Sequence, residues 1–179
     1  LMNFKPDVLD DVFTLAHEAG HSMHSHYSAA HQPFQYYDYT IFVAEVASTF
    51  NEQLLSKYML DHAQDIKKRA YLINRQIDSI RATVIRQTMF AEFELKIHEV
   101  VENGDALSGE KLTSIYGDIL KRYHGHDKGV MTIDDLYTIE WAYIPHFYYN
   151  FYVYKYATSI AASALFADEV MQEKEGARE

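Results

Sequence analysis

Cysteine is absent from the sequence, which excludes a disulfide scaffold and any thiolate metal site and is compatible with a reducing, cytoplasmic setting. Proline and glycine are scarce, 3 and 7 in 179 residues, so strong chain breaks are few. Positive charge is in short supply too. Sixteen Lys and Arg face 26 Asp and Glu, for a net charge of −10, and no basic cluster of five or more residues occurs. Neither nucleic acid nor an anionic membrane surface is an expected partner of such a chain. No apolar run approaches the roughly 18 residues that span a bilayer. No signal peptide is visible, although that carries little weight in a chain that starts Leu1-Met2-Asn3 and ends EKEGARE.

The apolar fraction of 48% is ample for a packed core, and 23% charged residues is an ordinary globular share. Aromatics are abundant and crowd into residues 34–43 and 141–156. The dominant period is helical. Asp10 and Asp11 can cap and charge a first helix over about 12–30, and Thr40 can cap a second over about 41–60. A long third helix is expected over about 63–103. Within it Ile66, Ala70, Ile73, Ile77, Ile80 and Val84 recur at spacings of four and three, as a buried seam would. Gly104 suits its C-cap, and Ser108 can cap a fourth helix over about 109–123. HGHDKG, 124–129, reads as a loop, and Asp134-Asp135 precede a further helical or irregular segment. A last helix is expected over about 149–173. No strand is convincing, so the fold class is mainly α.

The chemistry concentrates in LAHEAGHSMHSHY, residues 15–27, where His17, Glu18, His21, His24 and His26 follow one another closely. On a helix, His17 and His21 lie one turn apart on one face and can hold one metal ion between them. Glu18, beside the first of them, can take a proton from a zinc-bound water; this is the HExxH arrangement of metallopeptidases. Val12, Phe13, Leu15 and Ala16 supply an apolar opposite side, and Ala19 and Gly20 are small enough for another helix to come close. A catalytic zinc site needs a third protein ligand. The metzincin continuation fails, because its glycine and third histidine fall on His24 and Tyr27. A glutamate from the following helix is the other common solution. Glu45 is preferred over Glu52 and Asp38, since Ala44, Ala47 and Ser48 around it permit close packing. Glu52, two turns on and on the same side, could orient a ligand imidazole. His24 could line the cleft or bond a ligand. His26, His31, His62 and His98 read as surface or core-edge residues, and His124 and His126 as residues of a solvated loop.

HEAGH, together with YTIFVAEVASTFNEQLL, RQTMFAEFELKIHE and IPHFYYNFYVYKYATS, resembles the oligoendopeptidase F group of the M3 family of zinc metallopeptidases, and the resemblance runs through nearly the whole chain. It implies a helical, zincin-type catalytic domain with the HExxH helix packed on a Glu-bearing helix. Residues 1–179 would be the C-terminal catalytic region of a longer peptidase whose N-terminal part supplies one wall of a deep channel. It implies one Zn2+ per chain on His17, His21 and Glu45, Glu18 as general base, and oligopeptide substrates cut internally. His146, Tyr149, Tyr152 and Tyr154 match the family's substrate-binding segment, with His146, Tyr152 and Tyr154 the candidates to stabilise the oxyanion. Two other readings stand beside this one: a helical metallocarboxypeptidase, and a non-catalytic zinc-holding piece that needs its missing half. Substrate preference and oligomeric state are not legible.

Overall fold

The computed structural model describes residues 3–177. Leu1, Met2, Arg178 and Glu179, on which the reading of the chain's ends partly rests, lie outside the described residues. Among those described there is no strand. Six α-helices follow in order: α1 (Leu9–His31), α2 (Ile41–His62), α3 (Ile66–Ile80), α4 (Arg86–Glu102), α5 (Gly109–Tyr123) and α6 (Tyr154–Met171), with shorter helical turns between α3 and α4 and between α5 and α6. The chain divides into two compact units, one made of residues 1–84 and 155–179, the other of 85–154. No described helix is long and apolar enough to cross a membrane.

In the first unit α1 and α2 are paired along their length. Asn51 Nδ2 donates to the Ala16 carbonyl at 3.2 Å, His17 meets Glu52, and Gly20 faces Ala47 and Ser48. The partner number falls as the other rises, so the helices run antiparallel. Gly20 sets their separation. A Cβ there would lie 2.6 Å from Ala47 O and from Ser48 Cα, so only glycine lets the backbones meet. The buried face of α2 is polar: Glu45, Ser48, Thr49 and Ser56. Its hydroxyls are satisfied locally, Ser48 on the Glu45 carbonyl at 3.0 Å and Thr49 on the same carbonyl at 2.5 Å. The Thr49 oxygen also lies 2.9 Å from Ser163 Oγ of α6. α3 joins through Leu72, 2% exposed, through Gln76 Nε2 on Ser56 Oγ at 2.7 Å, and through the Arg75 guanidinium stacked 3.4 Å over the Phe13 ring.

The second unit is organised around Met89, Phe90, Phe93, Tyr116, Ile119, Leu120, Ile144 and Val153. Here α4 meets α5, with Phe93 and Tyr116 edge to face at 5.2 Å. Glu140 is held among the Arg86 guanidinium and the Tyr116 and Tyr143 hydroxyls. Burial alone would push its carboxyl up, but these donors outweigh it and hold the pKa below the ordinary value.

Several expectations need correction. Asp10 and Asp11 do not cap α1; the N-cap is Val8, and both acids lie in the first turn, where they still face the helix dipole. Thr40 is the N-cap of α2 without a side-chain bond, whereas Ser108 does cap α5, accepting from the Lys111 N–H at 3.2 Å. The long third helix is two, joined by a π-helical turn at Arg81–Ile85 that contains the β-branched run Thr83-Val84-Ile85. Its isoleucine seam is exposed, not buried: Ile66 is 77% and Ile77 60% open, and Leu72 on another face is the buried residue. Periodicity finds an apolar stripe; it does not say whether this chain covers it. Leu15, placed on the apolar side of α1, is 49% exposed. The last helix starts at Tyr154, five residues later than expected, because Asn150 and Phe151 take positive φ of 40° and 53° and stop any helix that begins at Tyr149.

Candidate metal centre

The four-residue spacing on α1 brings His17 and His21 side by side, and the close approach at Gly20 brings α2 up to them. The donor atoms form a triangle. His17 Nε2 and His21 Nε2 are 3.1 Å apart, His17 Nε2 lies 3.2 Å from Glu45 Oε2, and His21 Nε2 lies 3.5 Å from the same oxygen. A tetrahedral ion with bonds of about 2.0–2.2 Å needs its ligand atoms about 3.3–3.6 Å apart. The three edges fall close to that spacing, so the residues present fit such an ion. Two imidazoles and a carboxylate suit zinc and its transition-metal neighbours far better than the all-oxygen preference of calcium or magnesium. This is a candidate metal centre built by one unit alone.

Two of the three ligand candidates, His17 and Glu45, are braced from outside the triangle. His17 Nδ1 is 2.7 Å from Glu52 Oε1. With Glu52 as acceptor, the Nδ1–H tautomer leaves the Nε2 lone pair aimed into the triangle. Hydrogen bonds to Glu45 and then Glu52 raise the His17 pKa to about 9, against a smaller opposing effect of burial. Burial pushes Glu45 upward, yet bonds from His17 and from Ser48, whose hydroxyl sits 3.0 Å from Glu45 Oε2, hold it below the usual carboxylate range. Glu18 is exposed, next to His17 on α1. It stands outside the triangle.

The structure therefore brings His17, His21 and Glu45 together and sets Glu52 behind His17. His24 is not part of the triangle. It stacks on Tyr39 with ring centroids 3.7 Å apart, and burial lowers its pKa. It lines an apolar groove with Phe42, Val46, Phe50 and Phe166. His146, Tyr149, Tyr152 and Tyr154 belong to the other unit. There His146 and Tyr149 lie on a 3-10 turn, Pro145–Tyr149, Tyr152 follows the Asn150–Phe151 reversal, and Tyr154 opens α6. The His146 and Tyr152 rings stack at 5.6 Å, and Tyr149 and Tyr152 stand 6.1 Å apart. Of the remaining histidines, His124 and His126 are half-buried and structural. His126 Nδ1 accepts the Ile133 N–H at 2.9 Å, so that loop is pinned, not solvated.

Sequence reasoning took Ser48 only as a small packing residue, not as a partner of the Glu45 carboxylate, and missed Asn51. Ser48 sits three residues after Glu45, hence on its face, and that spacing could have found it. Asn51 carried no such signal.

Comparison with known proteins bears on what the centre belongs to. The profile of Peptidase family M3 matches residues 1–179. Oligopeptidase PepF of Bacillus subtilis is 49% identical over 97% of this chain, which spans 25% of that protein. An oligoendopeptidase F homolog of Borreliella burgdorferi is 46% identical over the whole chain, here 30% of its length. The crystal structure of oligoendopeptidase-F from Enterococcus faecium superposes with a TM-score of 0.77 at 40% identity, covering 94% of this chain and 30% of the other. The chain thus spans between a quarter and a third of the length of the relatives it matches.

Proposed function

Since the chain belongs to peptidase family M3, we propose that it carries the metal centre of a zinc-dependent endopeptidase that hydrolyses internal bonds of short oligopeptides. The observation that carries the reading is the His17–His21–Glu45 triangle with Glu18 beside it on the same helix. Bound zinc would supply Lewis-acid polarisation of the scissile carbonyl and a lowered pKa for the attacking water.

The chain's own residues do the rest. His17 and His21 offer Nε2, and Glu45 offers Oε2. Glu52 holds the His17 tautomer. Glu18 accepts the proton of the attacking water and delivers it to the leaving amine nitrogen. His146, Tyr152 and Tyr154 are the donors for the carbonyl oxygen as it gains charge, and together with Tyr149 they hold the peptide. Loss of one such donor costs about 10²–10³ in kcat. The relatives named above as oligopeptidase and oligoendopeptidase support the substrate class.

The test loads the chain with one equivalent of zinc, incubates it with a peptide of roughly ten residues, and locates the cuts by mass spectrometry. The expected result is an internal cut that Glu18→Gln abolishes while the zinc content stays the same. Retained cleavage in Glu18→Gln contradicts the mechanism, and release of single C-terminal residues favours a carboxypeptidase. A second reading has its own observation, the 25–30% span of the relatives: a metal-holding piece that cleaves only together with the rest. It predicts zinc binding without cleavage in this chain and cleavage in a longer one.

A further inference from the structure

Glu94 is the most deeply buried carboxylate described in the chain. It lies on α4 at 0% exposure, among the core residues Phe90 and Phe93. A carboxylate in such a place is costly to bury and persists only where its bonds repay the desolvation. Its Oε1 accepts the backbone N–H of Phe151. Phe151 and Asn150 are the consecutive non-glycine residues with positive φ, 53° and 40°, that reverse the chain between the His146 turn and α6. A second contact from α4 meets the same residue: the His98 ring sits 4.5 Å from the Phe151 ring, its own Nδ1 2.7 Å from the Glu94 carbonyl oxygen. The segment leaves the core at Ile144 and returns at Val153, both buried. His146, Tyr149 and Tyr152 are carried between those two anchors.

We propose that Glu94 is a positioning residue for the peptide-handling segment: its bond to the Phe151 N–H locks the left-handed Asn150–Phe151 reversal and so fixes where His146, Tyr149 and Tyr152 stand. This rests on the reading that those side chains contact the peptide. A reversal built from two side-chain-bearing residues in the left-handed region does not hold itself. The Glu94 carboxyl oxygen supplies the acceptor that holds it; a methionine offers none, and a glutamine offers a carbonyl oxygen in its place. Rotation at Phe151 would swing the flanking rings, and a displacement of about 1 Å at a positioned group can cost about 10²-fold in rate.

The test uses the isotope-labelled chain with Glu94→Met, which removes the acceptor at similar volume, and Glu94→Gln, which keeps a carbonyl acceptor. In Glu94→Met, exchange of the Phe151 amide should speed by about tenfold, the cost of leaving a buried donor without its partner. The His146 and Tyr152 ring resonances should shift, while Tyr116 in α5 and the zinc content do not change. Glu94→Gln, with a carbonyl oxygen to accept the same N–H, should stay close to the unmodified chain. If Glu94→Met does not fold, the unmodified chain decides, since a Phe151 amide that exchanges there as fast as an unstructured one overturns the proposal. In the peptide assay, kcat/KM should fall about 10²-fold in Glu94→Met and largely recover in Glu94→Gln. A mere stabilising role would lower the melting temperature and leave kcat/KM intact below it. Rings that stay in place overturn the positioning claim whether or not the chain cleaves peptide. Rings that move without loss of kcat/KM overturn its link to peptide handling. Absence of cleavage by the unmodified chain counts against the functional reading alone, and the resonances still decide the position of the rings.

Discussion

His17 is shared between two carboxylates, and the division of labour between them follows from which nitrogen each one meets. Glu45 faces Nε2 at 3.2 Å and is the proposed ligand beside it; Glu52 faces Nδ1 at 2.7 Å, where it can orient the ring. Removing an orienting partner of this kind typically costs 10- to 100-fold in metal affinity. Glu52→Leu is therefore expected to weaken zinc binding by about 10- to 100-fold, read by competition with a calibrated chelator, while Glu45→Ala removes a ligand and weakens it further. Equal effects would mean the two carboxylates have been assigned the wrong roles. At this scale the sequence was informative wherever helical spacing does the geometry: His17 with His21, and Glu45 with Glu52 two turns on. It was not informative for Tyr149, Tyr152 and Tyr154, because their placement hangs on a backbone reversal at Asn150 and Phe151 that carries no glycine to announce it.

Between elements, the decisive contact is Gly20 against Ala47 and Ser48. In an isolated helix Gly→Ala would stabilise by about 1 kcal/mol. Here the new Cβ would meet backbone atoms at 2.6 Å, which cannot turn aside as a side chain can. Overpacking of this kind costs about 1–3 kcal/mol and is relieved by pushing the helices apart. The repulsion wins: Gly20→Ala should lower stability to urea and also weaken zinc binding, because the helix separation sets the Glu45–histidine distances. Gain of stability with unchanged zinc affinity would show that the close approach does not set the site. Helix existence was readable from period and caps, as at Ser108. Two features were not. The π-helical turn at Arg81–Ile85 breaks no hydrophobic pattern, and the isoleucine stripe of α3 looks the same in sequence whether covered or open.

For the whole molecule, the division into two units was invisible in the sequence, because the boundary at 84–85 falls inside a helical run rather than in a linker. It has a measurable consequence. The metal candidates all lie in the first unit, and a ligand stabilises what it binds, by about 2.7 kcal/mol at a hundredfold excess over Kd. Stripping zinc with a chelator should speed amide exchange in α1 and α2 and leave the α4–α5 core around Phe93 and Tyr116 unchanged. Uniform loss of protection would mean that the units respond as one.

That His17, His21 and Glu45 hold one metal ion can be tested directly by diffraction from zinc-loaded crystals at the zinc absorption edge. One anomalous peak per chain is expected, about 2.0–2.2 Å from His17 Nε2, His21 Nε2 and a Glu45 carboxylate oxygen. A peak bound elsewhere, or a first shell without Glu45, would contradict it.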